Sequence, residues 1–164
     1  MNTPKYLIVH HTGGTDTDPL ADTSTHTFAI VDEWHKQKGW GKIGYHYFID
    51  KDGILSQGRN DNEEGAHTIG YNLTSLGICL AGNFDVTKPT EKQIITLRNL
   101  LAVKTKQYAI PLENIVPHRF ASNKTCYGKL LADDWARRLL IVSVSKSDIL
   151  KAIDNLRKQA ELLP

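Results

Sequence analysis

The chain has 164 residues, of which 23% are charged and 40% hydrophobic, with a formal net charge of +2. That length suits a single domain with a full core, and so small a positive charge excludes the electrostatic footprint of a nucleic-acid binder. No apolar run approaches the ~20 residues of a membrane span, and MNTPKYLIVHH lacks a leader's apolar core, so the chain reads as cytoplasmic where synthesised, with no membrane span.

Tyr6 to Val9 is a short apolar run that ends on His10, His11, Thr12 and two glycines, the pattern of a buried strand delivering two histidines to a loop. Consecutive strand residues face opposite sides, so only one of the two histidines points into any given site. Thr15 to Asp22 is a polar loop. Ser24 or Thr25 is positioned to cap a helix that runs to about Lys38 and closes at Gly39, with Phe28, Val31 and Trp34 facing inward. His26 and His35 on that helix read as solvated or packing histidines. Ile43 to Ile49 predicts a strand, Lys51–Gly53 a turn, and ILSQG a second strand. In the first of these Tyr45, Tyr47 and Ile49 share one face, and Gly44, His46 and Phe48 the other.

Arg59 to Ser75 is a long polar loop carrying His67, and LGICLAG after it reads as a central strand covered on both faces. Cys79 within that run reads as a buried, inert thiol, and two cysteines are too few for a disulfide framework. Thr90 and Gln93 make a capping box ahead of Ile94, Leu97, Leu100, Leu101 and Tyr108, which predicts a helix. Asn114–Val116 is a short last strand, Leu131–Leu139 a short helix anchored by Trp135. Ser145 and Asp148 open a further helix with Ile149, Ile153, Leu156, Ala160 and Leu163 on one stripe. Strands alternating with helices give an α/β fold, a mixed sheet of about five strands in a single domain.

The chemistry concentrates in PHRFASNKTCYG, where His118, Lys124 and Cys126 fall within nine residues. Imidazole and thiolate are zinc ligands, and His10 or His11 supplies a third, leaving the fourth position open as in catalytic zinc sites. Water in that position is acidic enough to provide hydroxide near neutral pH, Lys124 is close in sequence for an oxyanion, and Tyr45 or His67 is available for proton transfer. Spacing alone does not separate this site from unrelated packing residues, because no second CxxC or HxxxH accompanies it.

Several blocks occur together and in order: VHHT at 9–12, IGYHYFIDKDG at 43–53, GAHTIGYNLTSLGICLAGNF at 65–84, then His118, Lys124 and Cys126. In them the chain resembles, over about Lys5 to Leu140, the zinc-dependent N-acetylmuramoyl-L-alanine amidases, whose fold phage endolysins and peptidoglycan recognition proteins share. The resemblance implies one Zn2+ held by His10, His118 and Cys126, with Tyr45 assisting the attacking water and Lys124 stabilising the transition state. It also implies His67 and Asn72 as substrate-groove residues. The implied function is peptidoglycan hydrolysis between N-acetylmuramic acid and L-alanine, by a monomer acting on the wall after release by a separate route. Other readings are a non-catalytic peptidoglycan-binding module, or a recycling amidase acting on soluble anhydro-muropeptides. Residues 1–140 would form the catalytic domain and 141–164 a helical extension packed on it, a feature that small members of the family do not obviously share.

Overall fold

The first apolar run becomes the strand next to the sheet's centre, β1 (Tyr6–His11), in a computed structural model that describes residues 1–141. The helix expected from Ser145 onward lies outside the described residues. Four further strands follow: β2 (Tyr47–Ile49), β3 (Leu55–Gln57), β4 (Ser75–Leu80) and β5 (Ile115–Pro117). Their spatial order is β3-β2-β4-β1-β5, with only β3 antiparallel to its neighbour. Every residue of β4 is buried, as a strand flanked on both edges and covered on both faces requires.

The two-residue period of the strands sorts their side chains into two cores. Leu7, Val9, Tyr47, Ile49, Leu76, Ile78, Leu80 and Ile115 face α2 (Glu91–Tyr108) and α3 (Trp135–Arg138), packing on Leu97, Leu101 and Ala136. Phe48 and Cys79 face the other way, toward Val31 of α1 (Phe28–Gln37). The chain is thus a three-layer α/β fold. Among the described residues no helix is long and apolar enough to cross a membrane.

The capping box at Thr90 forms as read: the Gln93 N–H donates to Thr90 Oγ1 at 3.1 Å, and the Thr90 N–H to Gln93 Oε1 at 3.0 Å. Three local readings are corrected. The cap of α1 is Thr27, not Ser24 or Thr25, because its hydroxyl is the one that accepts the Ile30 N–H. Trp34 is half exposed, and His35, buried, takes its place on the inner face. Residues 43–46 do not join β2: the Ile43 and Gly44 N–H groups donate to Asp32 and His35 of α1 instead of to a strand. With no strand there, the alternation fails, and Tyr45 packs on the α1 side with Phe48 rather than beside Tyr47.

Candidate metal centre

The parallel strands end together, and their carboxyl ends are where an open α/β sheet leaves room for a site. His10 projects from β1 toward the α1 face, while His11, one residue on, projects to the opposite core and accepts the Phe84 N–H on Nδ1 at 2.9 Å. The β1–β5 register pairs Val9 with Pro117, so His118, the next residue, lies beside His10, with ring centroids 4.6 Å apart. Cys126 closes the group. The nitrogen and sulfur donors of His10, His118 and Cys126 all lie within 4.8 Å of one another. His10 Nδ1 is 3.7 Å from Cys126 Sγ. Two donors of a tetrahedral zinc with ordinary Zn–N and Zn–S bonds stand about 3.6 Å apart, so the His10–Cys126 pair already has the separation that metal needs.

The two imidazoles are held in the neutral form that can bind a metal. Burial, then the neighbouring His67 and His118, pulls His10 well below 6.5, and burial followed by Lys124 lowers His118, so both imidazoles are neutral with lone pairs available. Burial pushes the Cys126 thiol up to about 12, against the His11 N–H that points at its sulfur from 3.4 Å. A buried thiol that resists ionising alone becomes a ligand when a metal ion replaces its proton.

The loop bearing Cys126 is fixed by two residues the sequence did not flag. Arg119 donates through Nη1 to the carbonyls of Thr125 and Gly128, through Nη2 to that of Leu131, and through Nε to the Asp133 carboxylate. Its backbone N–H donates to Cys126 O at 2.7 Å. Asp85 accepts from the Thr125 hydroxyl at 2.7 Å and the Lys129 N–H at 2.7 Å. Arg119 is adjacent to His118 in sequence, which is a usable hint; Asp85, forty residues from Thr125, offers none.

The three donors lie in the wall of an open groove of about 650 Å³. Lys124 and Tyr45 line it too, as do Trp34 and Lys38 of α1. Tyr45, half-buried, stands with its ring 5.0 Å from that of His10, and Lys124 is exposed at the rim. His67 and Asn72 are not among the lining residues. Asn72 Oδ1 accepts the N–H groups of His67 and Thr68 and so shapes its own loop, and His67 sits behind His10 with Nδ1 3.1 Å from His10 Nε2. The loop folds over the sheet face and turns these two side chains inward, away from this cavity.

Fold and donor set together describe an α/β protein with three grouped side chains that could hold a metal ion. The sequence model of the N-acetylmuramoyl-L-alanine amidases (Amidase_2) matches residues 1–129. An endolysin of Klebsiella phage KP32 is 34% identical over 118 residues, 69% of this chain and 77% of that protein. Among solved structures, the N-acetylmuramoyl-L-alanine amidase LysC from Clostridium intestinale superposes with a TM-score of 0.74 at 30% identity, covering 87% of this chain and 88% of that one. A point mutant of Drosophila PGRP-LB, in complex with tracheal cytotoxin, does so with 0.67 at 27% identity, covering 80% and 79%. The chain belongs to the N-acetylmuramoyl-L-alanine amidase family.

Proposed function

We propose that the chain is a zinc-dependent peptidoglycan hydrolase, which cleaves the amide between the lactyl group of N-acetylmuramic acid and the L-alanine of the stem peptide. The observation that carries this is the meeting of His10, His118 and Cys126 in the wall of an open groove, in a member of this family. His10, His118 and Cys126 hold the metal, one per chain. Zinc bound there supplies a Lewis acid and a water that ionises near neutral pH. Tyr45 stays protonated, because burial and then the nearby Cys79 and Cys126 push its phenol well above 10, and it orients the attacking water by hydrogen bonding. Lys124 offers its ammonium to the oxyanion that develops on the amide carbonyl. The groove beyond them, with Lys38, Asp16 and Trp34 on its walls, takes the substrate on either side of the scissile bond.

Zinc stoichiometry, measured with amine release from purified peptidoglycan, tests this reading. One zinc per chain and chelator-sensitive appearance of L-alanine amino termini are expected, and His118→Ala or Cys126→Ala abolishes both. Release of stem peptides by those variants would show the site to lie elsewhere. Zinc without release from intact wall, but with release from soluble anhydro-muropeptides, would reassign the substrate. Binding without cleavage of either would make the chain a recognition module.

A further inference from the structure

We propose that His67 and Ser75 form a one-way hydrogen-bond relay behind the centre that fixes the tautomer of His10, which makes His67 a positioning residue for a metal ligand. This deepens the zinc reading and rests on it. The relay ends on a group with a single role, the Tyr71 carbonyl, which only accepts. Ser75 Oγ gives its one proton to that oxygen at 2.7 Å, so toward His67 it has only lone pairs. His67 Nε2, 3.4 Å from Ser75 Oγ, therefore carries the ring proton, and Nδ1 of the neutral ring is an acceptor. That acceptor faces His10 Nε2 at 3.1 Å. His10 in turn carries its proton on Nε2 and presents the bare Nδ1 to Cys126, 3.7 Å away. Thr68 Oγ1, 3.0 Å from His67 Nδ1 and 3.4 Å from His10 Nε2, is a second acceptor for the His10 proton, with its own proton turned away from the single lone pair of Nδ1 that His10 occupies.

Space for the relay is built into the sheet. A Cβ on Gly77 of β4 would stand 2.5 Å from the His67 ring, and one on Gly65 would stand equally close. His67 thus lies flat over a strand position that only glycine leaves open. A ligating imidazole works best when its second nitrogen is held by a partner, and loss of such a partner typically costs 10–100-fold in metal affinity. The relay supplies that partner and ties it to backbone.

The test compares zinc-loaded wild-type protein with His67→Ala, His67→Asn and Ser75→Ala, reading zinc affinity by competition with a chelator and folding by circular dichroism. His67→Ala is expected to bind zinc about 10–100-fold more weakly. His67→Asn should recover most of that loss, since its Oδ1 stands where Nδ1 stood and accepts the same proton. Nitrogen-15 NMR of the wild-type histidines should place the His67 proton on Nε2. Zinc affinity unchanged in His67→Ala, or a His67 proton found on Nδ1, overturns the relay. If His67→Ala fails to fold, unchanged affinity in Ser75→Ala overturns it instead. Wild-type protein that holds no zinc would sink the proposed function, and the NMR tautomers of His10 and His67 would then still decide the relay.

Discussion

At the scale of single residues the centre depends on side chains that never touch a metal. Arg119 spans three carbonyls and a carboxylate of the Cys126 loop, a pattern that needs the planar fork of a guanidinium. Arg119→Lys keeps the charge but leaves at least one of those part-buried carbonyls without a donor, which costs on the order of 2 kcal/mol. Chemical denaturation should show that loss, together with weaker zinc binding, because the backbone of Cys126 is held by the same residue. A variant as stable as wild type would mean that Arg119 does not organise the loop. Lys124 is the opposite case: it is exposed at the rim, and its ammonium makes no hydrogen bond or ion pair among the described residues. Lys124→Ala should lower turnover about a hundred- to a thousandfold while zinc content stays at one per chain. Loss of zinc in that variant would contradict its assignment to the oxyanion.

At the scale of elements, much of the fold is legible from local rules. Alternation in β1 separates His10 from His11, the unbroken apolar run of β4 announces a central strand, and Thr90 and Gln93 mark the start of α2. What the sequence hides is where backbone hydrogen bonds go when a strand-like stretch is not a strand. Ile43–His46 has strand composition, but two of its N–H groups go to α1, so Tyr45 turns toward His10 against the predicted parity. His67 misleads for a related reason, since a polar loop reads as exposed until its fold over Gly77 is known.

The α1 contact itself titrates. His35 Nδ1 accepts the Gly44 N–H at 2.8 Å, and burial, then Lys38 and Arg59, lowers its pKa from 6.5 to about 4. Below pH 6.5 the unfolded chain takes up a proton that the folded chain refuses until about 4, so this stability is complete above 6.5 and lost as pH falls through that window. His35→Asn retains an acceptor without the titration. Between pH 7 and 5, wild type should lose about 2 kcal/mol more than His35→Asn in urea unfolding. Parallel losses in the two proteins would remove His35 from the account.

At the scale of the whole molecule, the question is what the last residues add. The described residues, 1–141, hold five strands, three α-helices and every proposed site residue, and the family match ends at residue 129. We propose that 1–140 is the catalytic domain and that 141–164 is an extension applied to it by the stripe of Ile149, Ile153, Leu156, Ala160 and Leu163. The stripe includes none of the proposed metal donors, so under this proposal it acts on stability and not on chemistry. Ending the chain at Ile141 should therefore leave zinc content and amide hydrolysis unchanged while lowering Tm by several degrees, as loss of one apolar docking contact does in a domain of this size. Full-length and shortened chains should both elute as monomers, because a stripe satisfied within its own chain has no surface left for a second copy. A full-length dimer that becomes monomeric on shortening would reassign the stripe to pairing between copies. Loss of zinc or of hydrolysis with the fold retained would instead bring the extension into the working site.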